Sequence, residues 1–109
     1  MSFKKSEIWE WKNWKISWSL SKKSTCNKNI NILLVHGFGA SKKHWRHNQD
    51  FLSKVYNCYA IDLLGFGESS QPSALLNYEP IQKNSIKYSF DLWSNQISTF
   101  CSEVIKSPV

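Results

Sequence analysis

Arginine is almost missing from this chain. Of fourteen basic residues only Arg46 is an arginine; the rest are lysines, spread as Lys4-Lys5, Lys22-Lys23, Lys42-Lys43 and singles. Surfaces that read nucleic acid gather Lys and Arg on one face and favour Arg for bidentate base contacts. A dispersed lysine excess, here a net charge of +6, marks a solvated surface instead. Paired cysteines are also lacking. Cys26, Cys58 and Cys101 are far apart and odd in number, which gives no zinc-ligand spacing and fits reduced thiols in a cytosolic protein. No segment approaches the ~20 apolar residues of a membrane helix. The opening MSFKKSEIWEWKNW has no apolar run of the signal-peptide kind. These absences predict a cytoplasmic protein with no membrane span.

What is present is the composition of a folded domain: 41% hydrophobic and 15% aromatic over 109 residues. A chain of this length makes one domain and buries roughly 65% of its unfolded surface. Residues 1–7 read as a tail and 8–109 as the domain. Segments 8–11 and 15–20 alternate apolar and polar, with Ile16, Trp18 and Leu20 on one face, which predicts a hairpin turning near Lys12-Asn13-Trp14. Segment 21–29 is polar and reads as a loop. Segment 30–35, ILLV at its centre, suits a strand buried on both faces. Ser41 can cap a following helix that carries Trp45, Asn48, Leu52 and Val55 at helical spacing. Residues 59–61 predict another buried strand, and 71–87 a long excursion. In 89–106 the residues Trp93, Ile97, Phe100, Cys101 and Val104 form one helical stripe, with Ser89 as cap and Asp91 in the first turn. The second half is thus βαβα, which predicts an α/β fold with a parallel sheet.

The four glycines sit in two turns, HGFGAS and LLGFGESS, each directly after a buried strand. Glycines beside Phe38 let the backbone bend sharply and approach another group closely. Such a turn lies at the carboxyl end of a parallel strand, where open α/β sheets place their sites and backbone N–H groups can hold an anionic oxygen. The alternative is a tight strand-to-helix turn with no chemistry. The second turn does not fit a phosphate-binding loop, because G-x-G-x-x-G before a helix and the Lys-Ser/Thr ending are both missing. His44 and His47, three apart, could share a metal face, but no third ligand has matching spacing, so no metal site is expected.

Taken together, LLVHGFGASKKHW, YAIDLLGFGESSQP and YSFDLWSNQI resemble the amino-terminal part of the α/β-hydrolase fold. The resemblance implies an amino-terminal antiparallel hairpin leading into a parallel sheet with flanking helices, an incomplete version of that fold. It implies that the backbone N–H of Phe38 belongs to an oxyanion hole, with Gly37 and Gly39 permitting the geometry and His36 supporting the loop. It gives Asp62, Gly65, Gly67 and Ser69 a part in shaping the rim, with Asp62 not acting as an acid or base. The family's G-x-S-x-G nucleophile elbow and later acid and histidine have no counterpart among these residues. The expectation is a front portion that hydrolyses nothing alone, uses no cofactor, meets a small-molecule substrate only when a carboxyl-terminal half is supplied, and can associate through an open sheet edge.

Phe38 and Gly39 stand where haloalkane dehalogenases carry Asn and epoxide hydrolases favour Pro. This points toward a serine-type esterase, though the epoxide hydrolase and dehalogenase reading stays open. DLLGFGES and YSFDLW also resemble pheophytinase-like hydrolases. A different alternative is a small basic module in which Trp9, Trp11, Trp14 and Trp18 stack nucleic acid or an acidic partner; against it, these tryptophans can simply pack the sheet.

Overall fold

A computed structural model describes residues 2–23, 27–75 and 85–109. Strands β1 (Ser2–Trp11) and β2 (Trp14–Lys23) form an antiparallel hairpin, paired from Trp11↔Trp14 out to Ser2↔Lys23. Lys12 and Asn13 take φ of 49° and 71°, the two left-handed residues of a turn whose twist matches its strands. Strand β3 (Asn27–Val35) is followed by a 3-10 turn (Lys42–Trp45) and helix α1 (Arg46–Leu52). Then come β4 (Tyr56–Ile61), the short parallel pair β5 (Ser73–Ala74) and β6 (Ser85–Ile86), and α2 (Phe90–Phe100). A π-helical turn (Cys101–Ile105) ends the last helix, closed by left-handed Lys106. The main sheet runs β1-β2-β4-β3, with β4 antiparallel to β2 and parallel to β3.

The α/β class and element order match the sequence reading; several boundaries differ. The hairpin strands reach back to Ser2 and on to Lys23, so residues 2–7 are paired strand rather than tail. Segment 21–29 is mostly strand, leaving only 24–26, with Cys26, outside the described residues. Of the excursion at 71–87, residues 76–84 also lie outside them. Both caps form: Ser41 accepts from Lys43 N–H at 3.3 Å and Ser89 from Leu92 N–H at 3.1 Å. The stripe expected on the first helix does not. Val55 lies past its end and is exposed, and the residue that α1 turns inward is Gln49.

The reason is the two-faced character of β2. Ile16, Trp18 and Leu20 point to one face and are buried in the apolar core with Trp11, Ile61, Leu64 and Phe100. Phe100 meets Trp9 and Trp18 edge-on at 5.5 and 5.6 Å. The hairpin tryptophans therefore pack the sheet against α2, as a structural role for them requires. The opposite face of β2 carries Ser17, Ser19 and Ser21, all buried. A helix covering that face needs a polar residue, and Gln49 donates to Ser19 Oγ at 3.1 Å and to the Cys58 carbonyl at 2.9 Å.

Cys58 is fully buried in β4, and burial pushes its thiol up from 9.0 to about 11. Folding gains from the neutral thiol below pH 9.0, and that gain drains away as pH rises toward about 11. Iodoacetamide should therefore label Cys58 at least ~100-fold more slowly in the folded chain than in denaturant at about pH 8. Mass spectrometry of the tryptic peptide reads the outcome.

Candidate functional site

Val35 and Ile61 are partners at the ends of two parallel strands. The His36–Gly39 turn and the turn over residues 62–70 therefore leave the sheet side by side. His36 is buried between them. Its Nε2 accepts from Leu63 N–H at 3.0 Å, and its Nδ1 lies 2.7 Å from the Gly37 carbonyl. An amide only donates and a carbonyl only accepts, so both bonds form only in the neutral ring with its proton on Nδ1. The ring ties one turn to the other and has no free nitrogen for proton transfer.

Asp62 makes the second tie. Its buried carboxylate accepts from Lys42 N–H at 2.6 Å, Lys42 Nζ at 3.0 Å and Glu68 N–H at 3.0 Å. Gly67, at φ +57°, lies so close that a Cβ would overlap this carboxylate. Gly65, at φ +93°, would place a Cβ 2.6 Å from the Tyr88 ring. Ser69 is buried, accepting from Ser17 N–H at 2.9 Å and donating to the Asp62 carbonyl at 2.7 Å. Helix α2 holds the same loop: Gln96 accepts from Leu64 N–H at 2.9 Å, and Trp93 Nε1 donates to the Leu64 carbonyl at 3.0 Å.

These ties border a crevice of about 920 Å³ walled by His36, Gly37, Phe38, Phe66, Phe90 and Trp93, among others. Its walls are aromatic. Phe66 lies 5.3 Å from Phe38 edge-on and 5.9 Å from Trp93. Phe38 and Phe90 are 89% and 87% exposed at its lips, which leaves apolar surface uncovered at the mouth of a concavity. Gly39 takes φ +77°, while Gly37 has no positive φ and nothing within 4 Å of where a Cβ would be. Among the described residues the Phe38 N–H meets no acceptor; the turn's own bond runs from Ala40 N–H to the Gly37 carbonyl at 3.2 Å. His44 packs on Trp45, and among the described residues no three metal-ligating side chains converge.

Three residues at or beside this site escaped the sequence reading. Lys42 sits among the scattered lysines yet is buried, bridging Asp62 and Glu68 at 3.0 Å each. Its hydrogen bond and charge, aided by Lys43, hold the Glu68 carboxyl below its ordinary range. Gln96 and Gln49 are both buried. Gln96 did leave a signal: it falls between Trp93 and Phe100 on the apolar stripe, where a polar residue implies a buried partner.

Lys42→Met leaves the Asp62 carboxylate buried without its counter-charge and should destabilise the fold by about 3 kcal/mol. Gly67→Ala should destabilise it too, through the Asp62 overlap, whereas Gly37→Ala should be near neutral. Urea melts of the three variants followed by circular dichroism test this ordering.

Residues 30–105 match the alpha/beta hydrolase fold family. Epoxide hydrolase 3 of Xenopus tropicalis is 44% identical over 52 residues, covering 48% of this chain and 14% of that protein. The human (lyso)-N-acylphosphatidylethanolamine lipase is 38% identical over 56 residues, covering 51% and 16%. The crystal structure of a membrane phospholipase A, a bacterial virulence factor, superposes with a TM-score of 0.73 at 25% identity, over 93% of this chain and 28% of that one. The chain thus spans less than a third of each of these three proteins. With the family match covering well over half of its residues, and with the sheet order and paired glycine turns described above, this chain belongs to the α/β-hydrolase fold family.

Proposed function

We propose that this chain forms the oxyanion side of a serine-type ester-hydrolase site. In this reading the Phe38 N–H donates to the oxygen that becomes negative as an acyl carbon turns tetrahedral. His36 and Asp62 hold the turn in place, Gly39, Gly65, Gly67 and Ser69 allow its shape, and Gly37, which its conformation does not require, leaves bare backbone beside the Phe38 amide. The observation that carries the reading is the uncommitted Phe38 amide at the lip of an aromatic crevice, on the carboxyl side of parallel β3 and β4. An amide held there by a braced turn needs no reorganisation when charge develops, which is the requirement for such stabilisation.

The nucleophile must come from elsewhere. No G-x-S-x-G occurs in the 109 residues, and Ser69 and Ser70 are occupied in bonds to β2. Among the described residues β3 pairs with β4 alone, so its other side can receive a strand bearing the serine. Donors without a nucleophile do little for acyl transfer. The aromatic walls suit an apolar acyl group, which agrees with the lipid names of two of the similar proteins.

Epoxide opening is the second reading, favoured by the 44% identity to an epoxide hydrolase. Gly39 stands where epoxide hydrolases favour Pro, so ester hydrolysis is preferred.

The 109-residue chain alone should hydrolyse p-nitrophenyl butyrate and styrene oxide no faster than buffer. Joined to the carboxyl-terminal part of the human lipase relative, it should hydrolyse the ester. Phe38→Pro, which removes the N–H, should then lower kcat by roughly 100- to 1,000-fold, while Phe38→Ala keeps most of it. Equal loss in both variants, or turnover of the epoxide alone, would overturn the reading.

A further inference from the structure

On α1's side of the sheet, opposite α2, lies a second concavity that shares no residue with the crevice. It is a hollow of about 160 Å³ between the hairpin and α1. Its floor is polar: Ser19, directly opposite Ser6 in the hairpin register, is bonded to buried Gln49. Its walls carry four cations, Lys4, Lys42, Lys43 and Arg46. Lys4 stands two residues from Ser6 on β1, hence on the same face of the sheet.

The charges do not cancel. Asp62 and Glu68 both pair with Lys42 at 3.0 Å, and Glu68 reaches Lys43 only at 3.8 Å. Among the described residues neither Lys4 nor Arg46 has a carboxylate within 4.0 Å. Two carboxylates against four cations leave two positive charges over. The donors are also in surplus. Arg46 spends one N–H on the Lys43 carbonyl at 3.0 Å, and a guanidinium has five. Lys42 Nζ has a third proton beyond the two given to Asp62 and Glu68. A small polar hollow with unspent N–H donors and a twofold positive excess matches a tetrahedral dianion, and it is too small and too wet for an acyl chain.

We propose that this hollow binds a doubly charged phosphate group. The group can arrive as a free phosphate or as the headgroup of a lipid such as phosphatidic acid, and the chemistry at the protein is the same. Arg46 and Lys4 supply the charge that no carboxylate among the described residues neutralises, with Lys43 and Lys42 completing the ring of donors. The proposal stands apart from the hydrolase reading, since no residue of the crevice takes part.

The test uses the 109-residue chain, titrated with inorganic phosphate against chloride at constant ionic strength and followed by calorimetry. Co-sedimentation with phosphatidylcholine vesicles, with and without phosphatidic acid, runs beside it. Lys4→Ser/Arg46→Ser is the main variant, since both side chains are exposed and outside the Asp62 tie. Arg46→Gln and Arg46→Lys serve if the double variant melts early. Saturable phosphate binding that weakens roughly tenfold or more in the double variant or in Arg46→Gln, and largely survives in Arg46→Lys, supports the proposal. Phosphatidic acid-dependent sedimentation lost in the same variants points to the headgroup as source, and its absence beside phosphate binding points to a free ligand. A response no greater than that to chloride overturns the proposal, as does binding of either probe that the double variant or Arg46→Gln retains.

Discussion

The Asp62 carboxylate is shut away from water, and three donors from two different loops replace that water. Lys42 reaches it twice, through its backbone N–H and its ammonium, and Glu68 once through its N–H. A lone buried carboxylate costs several kcal/mol, so the loops carrying its donors are held wherever those donors must be. This fixes the start of the α1 segment against the turn after β4. It also explains Gly67, since any side chain there would displace the carboxylate. With His36 bonded to Leu63, the two glycine turns form one braced unit, and the position of Phe38 follows from that brace.

The rest of the architecture follows from β2. Its alternation sorts Ile16, Trp18 and Leu20 from Ser17, Ser19 and Ser21, so the two faces of the sheet recruit different covers. The apolar face takes α2, whose Phe100 sits among the hairpin tryptophans. The serine face takes a short helix through Gln49, with hydrogen bonds where the other side uses hydrocarbon. Hydrogen-bonded packing of this kind adds little net stability but is costly to break. It also leaves the hollow beside Lys4 and Arg46 polar, while the crevice on the other side is aromatic.

Much of this was legible in the residues. Period-two alternation gave the hairpin, and Ser41 and Ser89 gave the caps; the ILLV run gave a strand, but one that is half-buried rather than covered on both faces, with Ile30 exposed. The paired glycine turns pointed to the family. What escaped was of one kind. Lys42, Gln49 and Gln96 are polar residues whose burial depends on partners 20, 9 and 34 residues away. Local pattern reports hydrophobicity, and a polar side chain looks solvated until its distant partner is known. Boundaries moved for a related reason. Lys22, Lys23 and residues 2–7 are too polar to read as strand, yet the ladder from Trp11↔Trp14 carries them along, because pairing rather than propensity extends a hairpin.

The two glycines beside Phe38 separate the structural demand from the chemical one. Gly39 is required by its backbone: φ of +77° is a region other residues rarely occupy. Gly37 has no such reason. Its φ is not left-handed, and a Cβ would meet nothing within 4 Å. A glycine that neither its own conformation nor its neighbours demand gives the fold no advantage over alanine and loses more entropy on folding. What its missing side chain does provide is bare backbone at the crevice wall, next to the Phe38 amide. That is the surface an incoming carbonyl oxygen would have to approach to reach the Phe38 N–H. Gly37 therefore argues for the oxyanion reading through what it leaves empty, a form of evidence that neither packing nor hydrogen-bond geometry supplies.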